Sequence, residues 1–227
     1  SEGLETWPRD LQLQQLLGLG LARGGSPLKA NQTAQNLIRD GHDDFETLSL
    51  LGRTHKDLWQ KESDKEAREE QLRLAYEAYE TAYNKAGDPY PGINAATLAL
   101  FLGDLKNAHR IGKHVYQLSL KAAEGSEPNY WTDATLGEVS LILGKLEEAR
   151  AYYSSAGKLG KGDFANLNST RQQARLLLQH LGEAPDWLDD CFALPRIVVF
   201  SGHRIDQPSL SSSRFPALLE SEVKNRI

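Results

Sequence analysis

The sequence predicts an all-α fold, a right-handed solenoid of antiparallel helix pairs. Three observations carry that prediction. Apolar residues recur at helical spacing from about residue 9 to about residue 181. Valine and isoleucine are scarce over that span, while the good helix formers Leu, Ala, Glu, Lys, Gln and Arg are abundant. Short Gly, Pro and Asp breaks interrupt the pattern at regular intervals, and short links between helices force antiparallel neighbours.

Taken in order, the breaks predict nine helices near 9–23, 27–40, 44–60, 65–86, 92–102, 104–122, 130–143, 145–158 and 164–181. Ser26-Pro27 reads as an N-cap followed by proline in the first helical position, and Gly41 closes that helix. Asp43 or Asp44 caps the third. Asp88-Pro89-Tyr90-Pro91-Gly92 reads as a break before the fifth. Gly103-Asp104, Gly125-Ser126-Glu127-Pro128 and Gly144-Lys145 separate the later helices, and Asp163 opens the ninth. The stretch from Lys61 to Glu70 reads as a solvated insertion and helix start, its acids favouring the helix dipole. Asp186 to Phe192 reads as a short capping helix whose Trp187 and Phe192 cover the end of the stack.

The pairs repeat. Gly103 and Ala108 are five residues apart, as are Gly144 and Ala149. Leu136-Gly137 precedes Gly144, and Tyr153 and Ala156 follow Ala149 at +4 and +7. This is the spacing of the tetratricopeptide signature. Ala75, Tyr79, Ala82 and Pro89 give its second half again, with Leu51-Gly52 as the first half and the Lys/Glu-rich insertion between them. The reason is steric: crossing helices need Gly or Ala where they touch, and an aromatic ring fills the gap between one pair and the next. No pair buries its apolar face alone, so pairs must stack.

Residues 1–194 are thus expected to form one helical domain, and 195–227 to begin another. Ile197-Val198-Val199-Phe200 reads as a buried strand, Ser201-Gly202-His203 as a loop, and Phe215 to Ile227 as a helix. That order opens an α/β unit, which is truncated at residue 227. Methionine is absent, which points to a fragment of a longer gene product.

Bulk properties narrow the function. The net charge is −5, so nothing draws the chain to nucleic acid or to an anionic membrane surface. No apolar stretch approaches the ~20 residues that span a bilayer. The single cysteine, Cys191, excludes an internal disulfide framework, suits a reducing cytoplasmic compartment, and reads as a small buried apolar group. The six histidines read as solvated or capping residues: His109 and His114 are five apart, off one helical face, and no His-Glu-x-x-His occurs. No catalytic constellation, cofactor or metal site is expected.

Gly52-Arg53-Thr54-His55-Lys56-Asp57, Ala75-Tyr76-Glu77-Ala78-Tyr79 and Tyr90-Pro91-Gly92-Ile93-Asn94-Ala95-Ala96 together resemble the TRAFs-binding domain of apoptosis signal-regulating kinases. The resemblance covers roughly residues 45–190 and is greater to the bacterial proteins that carry this domain. It implies a tetratricopeptide-like module that receives partners and regulates an attached effector. In the bacterial proteins a segment similar to Val199-Phe200-Ser201-Gly202-His203-Arg204-Ile205-Asp206 opens a Rossmann-like region. No kinase motif is present, and binding of TRAF adaptors is not carried over.

Two functions follow as expectations: a protein-interaction scaffold of a larger signalling protein, or a structural arm of a nucleotide-binding effector whose chemistry lies downstream. For the first, a protein or peptide partner would occupy the concave groove. The first helix of each pair lines that face, which points Ser49, Arg53, Lys56, Ile93, Thr97, Leu100, Trp131, Ala134, Glu138 and Leu141 toward it. Arg53 and Lys56 suit an acidic partner. Asn94 either holds a ligand's backbone or bonds within the turn after Pro91. Trp131 either anchors a partner or packs on Tyr130. For the second, Ser201, Gly202 and His203 would form a phosphate-facing loop.

Overall fold

The computed structural model describes residues 5–192, and all its regular elements are helices. They are α1 (Leu11–Arg23), α2 (Pro27–Arg39), α3 (Phe45–Lys61), α4 (Lys65–Ala86), α5 (Pro89–Phe101), α6 (Leu105–Ala123), α7 (Tyr130–Ile142), α8 (Leu146–Leu159), α9 (Phe164–Leu181) and α10 (Leu188–Cys191).

Links of two to six residues join them, so neighbours run antiparallel. Each helix from α1 to α7 packs on its successor, and α8 packs on α7 and α10. The odd-numbered helices also touch one another, α1 on α3, α5 on α7 and α7 on α9, which makes them the inner, concave layer.

The caps explain the boundaries. Asp44 accepts from the backbone N–H groups of Glu46 (3.0 Å) and Thr47 (3.1 Å). Its carboxylate also takes Gln15 Nε2 at 3.1 Å, so this cap ties α3 to α1. Asp64, Asp88, Asp104, Asn129 and Asp163 cap α4, α5, α6, α7 and α9 in the same way. Ser26 makes no side-chain cap bond, although Pro27 does occupy the first turn. Gly103 and Gly144 sit in the tight turns at φ of 80° and 73°, a region that favours glycine.

One boundary is corrected. Helix α5 begins at Pro89, not near residue 92. The first turn of a helix has no intrahelical acceptors for its N–H groups, so Pro89 and Pro91 both fit there. Residues 62–64 link α3 to α4, and α4 starts at Lys65 within the Lys/Glu-rich stretch and runs for 22 residues, as the sequence predicts. The repeated aromatic meets the next element, Tyr79 packing edge-on to Tyr90 of α5 with centroids 6.2 Å apart, and it also packs within its own pair. A Cβ on Gly52 would lie 2.6 Å from Tyr79 Cδ2, and one on Gly137 would lie 2.8 Å from Tyr153 Cδ1. In these two pairs the first helix therefore needs glycine where the tyrosine of the second lies flat on it.

The core runs through the stack from Trp59 to Phe192. At its C-terminal end α10 brings Phe192, 1% exposed, and Trp187 onto Tyr153, with ring centroids 5.6 and 6.2 Å away. These two aromatics cap the stack as the sequence predicts. Cys191 is half-buried, and burial pushes its thiol up, in keeping with a packing role. The expected strand, the loop Ser201-Gly202-His203, the final helix and the boundary at residue 195 lie outside the described residues.

Candidate functional site

The concave layer gathers polar side chains from α3, α5, α7 and α9. On α3, Arg53, Lys56 and Asp57 share one face at spacings of three and four. Lys56 Nζ reaches across to α5 and donates to Asn94 Oδ1 at 3.1 Å. Asn94 Nδ2 donates to Tyr90 O at 3.0 Å, so the asparagine bonds within its turn and also positions the lysine. Arg53 Nε lies 3.8 Å from Asp57 Oδ2, an ion pair too long for a hydrogen bond. That Nε is buried and has no acceptor.

Burial strains the charges of this cluster. Desolvation pulls the Lys56 ammonium below its ordinary value, and Glu138 and Asp57 oppose it. Desolvation likewise pushes the Asp57 carboxyl up, against the pull of Arg53. Among the described residues Lys56 has no carboxylate within ion-pair distance. The face thus holds one partly buried cation bonded only to a neutral amide, beside a guanidinium with an unused donor.

Toward the C-terminal half the groove is filled by the chain itself. Glu138 Oε1 accepts from Thr97 Oγ1 (2.7 Å) and from Gln173 Nε2 (2.8 Å), linking α5, α7 and α9. Tyr130 Oη and Thr170 Oγ1 are hydrogen-bonded at 2.7 Å. Beyond them the His180 ring meets Phe101 of α5 edge-on, with centroids 4.9 Å apart. Helix α9 therefore lies over α7 and reaches α5.

The expected groove residues accordingly divide. Arg53, Lys56 and Asn94 come together at the α3–α5 junction. Ile93 and Thr97 are buried, at 4% and 0% exposure, as are Ser49, Leu100, Ala134 and Leu141, so they build the floor rather than the accessible surface. Glu138 is engaged from both sides. Trp131 stands apart at the start of α7. Its ring packs edge-on to Tyr130 at 4.9 Å and is still 56% exposed. Asp57 and Gln173 join the site beyond the sequence expectation. The spacing of four from Arg53 signals Asp57; nothing local signals Gln173, whose partner is 35 residues away.

The histidines need one correction. His55 is neither solvated nor a cap: it is 6% exposed between α3 and α4, its Nδ1 2.7 Å from Gln71 Oε1. Burial holds its pKa below the ordinary 6.5, against the bond to Gln71. Between the folded pKa and 6.5 the unfolded chain binds a proton that the folded chain does not. Stability is therefore expected to fall as pH drops through that window and to level off below it. Melting curves at stepped pH check this: His55→Gln should flatten the acid-side slope, and an unchanged slope would assign it to other groups. Among the described residues no group of three or more His, Cys, Asp or Glu is placed to hold a metal ion. No described helix is long and apolar enough to cross a membrane.

Comparison with known proteins bears on the fold. Residues 1–99 match the family model Tetratricopeptide Repeats-Sensor. The crystal structure of a thermophilic TPR protein of Thermus thermophilus superposes with a TM-score of 0.58 at 18% identity, covering 78% of this chain and 86% of that one. That likeness shows the tetratricopeptide-repeat fold. The crystal structure of MamA superposes with a TM-score of 0.42 at 14% identity, covering 92% of this chain and 97% of that one. No curated protein matches the chain.

Proposed function

We propose that this chain is a non-enzymatic protein-interaction module, and that the α3–α5 part of its concave face receives an acidic segment of a partner protein. The observation that carries the reading is Lys56. Its ammonium is partly desolvated, yet it is bonded to an amide oxygen and not to a carboxylate. A carboxylate brought by a partner would meet Lys56 and the partly exposed guanidinium of Arg53 together, and charge-assisted bonds are the strong ones. Trp131, exposed farther along the same layer, supplies an apolar anchor.

The tetratricopeptide-repeat fold supports a scaffold role, because stacked pairs present an extended concave surface. The resemblance to the TRAFs-binding domain supports a regulatory role within a larger bacterial signalling protein. The single, half-buried cysteine suits a cytoplasmic setting.

A displayed peptide library panned on the chain tests this. Acidic sequences should be enriched. The affinity of a selected peptide should fall at least tenfold, about 1.4 kcal/mol, in Arg53→Glu and in Lys56→Met. Trp131→Ala should weaken it less. Circular dichroism confirms that each variant is folded. Enrichment without acidic bias, or unchanged affinity in both charge variants, rejects the proposal.

A further inference from the structure

Two charges of opposite sign reach α5 from either side of the concave layer and do not pair. Lys56 of α3 donates to Asn94 Oδ1 at 3.1 Å, and Glu138 of α7 accepts from Thr97 Oγ1 at 2.7 Å. Asn94 and Thr97 are three residues apart on α5, so their Cβ atoms are about 5–6 Å apart on one side of the helix. The two charges feel one another. Desolvation dominates at the Lys56 ammonium, and of the two carboxylates that oppose it Glu138 acts more strongly than Asp57. Yet among the described residues neither Lys56 nor Glu138 has an opposite charge within ion-pair distance.

Neutral groups hold the two apart. Asn94, which takes the lysine, is fixed in turn by its bond to Tyr90 O. Glu138 is held between Thr97 and Gln173 Nε2, and both bonds end on Oε1. Its Oε2 makes no hydrogen bond among the described residues and keeps contact with solvent. On the cationic side the Arg53 side chain is 34% exposed. Each sign therefore offers an open position on the same stretch of groove. Arg53 and Lys56 are balanced there by Asp57 and Glu138, so the stretch carries no net charge.

We propose that the partner segment carries both signs of charge: an acidic residue that meets Lys56 and Arg53, and a basic residue two positions from it that meets Glu138 Oε2. The inference rests on the reading of the α3–α5 face as the partner site and adds the partner's charge pattern. A segment bearing acids alone gains at Lys56 and Arg53 but loses at Glu138 and Asp57, because repulsion follows the same distance law as attraction. A segment of both signs gains on both sides of α5. It also discriminates, since a like charge set against either position is penalised. The spacing follows from chain geometry. In an extended segment, residues two apart face the same way and lie about 6.6 Å apart, close to the one-turn offset of Asn94 and Thr97.

The displayed library and synthetic copies of a selected peptide test the pattern. Selected sequences should carry Lys or Arg two positions from the acid. By fluorescence anisotropy, replacing that base by Glu in the peptide should weaken binding to the wild-type chain at least tenfold. Glu138→Gln keeps an oxygen for Thr97 and Gln173 and removes only the charge, so it should bind the two peptides within threefold of each other. Glu138→Lys should reverse the preference. Thermal melts confirm that both variants are folded. Acidic enrichment without the base, or a preference for the base that survives Glu138→Gln, overturns this inference. The acidic-partner reading then still stands on the losses in Arg53→Glu and Lys56→Met. A library without acidic bias overturns both.

Discussion

Replacing Tyr153 by alanine is expected to destabilise the fold by about 3–5 kcal/mol. The ring is fully buried at 0% exposure, where it lies on Gly137 of its own pair and meets Trp187 and Phe192 of the cap. Truncation removes the apolar burial and also leaves a cavity that the surrounding helices fill only in part. Tyr153→Phe should behave oppositely. The hydroxyl is buried and has no hydrogen-bond partner. Its loss removes an unsatisfied polar group at almost constant shape, so stability should hold or rise. Chemical denaturation of both variants checks the pair of outcomes. Equal losses in the two would mean that the hydroxyl, and not the ring, holds this contact.

The second large effect is expected on the other side of the same contact. Gly137→Val should cost about 2–3 kcal/mol, because even a Cβ alone comes within 2.8 Å of the Tyr153 ring. The ring cannot retreat without disturbing the cap behind it. The double variant Gly137→Val/Tyr153→Ala should be less destabilised than the sum of the singles, by roughly 0.5–3 kcal/mol. Additivity would show that the two residues do not share one contact. The same logic applies to Gly52 and Tyr79. In the pair between them, Ala96 stands at the glycine position and Gly112 at the tyrosine position. The bulky partner is absent where the small one is larger.

The helices are largely legible in the sequence because their signals are local. Asp104 and Asp163 and the periodicity after them place α6 and α9 within a residue or two, and periodicity alone places α4. The sequence misleads where one local pattern has two outcomes. Proline marks a break, yet it is also at home in a first turn.

The concave site is only partly legible. Helical spacing puts Arg53 and Lys56 on one face whatever the rest of the chain does. The burial of Ile93 and Thr97 and the engagement of Glu138 depend on α9 lying over α7 and reaching α5, a placement no short spacing encodes. The sequence by itself thus determined the helices and their pairing, because these rest on neighbours in the chain and on steric size. Only the tertiary structure decided which polar groups of the groove remain available. That depends on which distant side chains meet and on how much water each charge loses when they do.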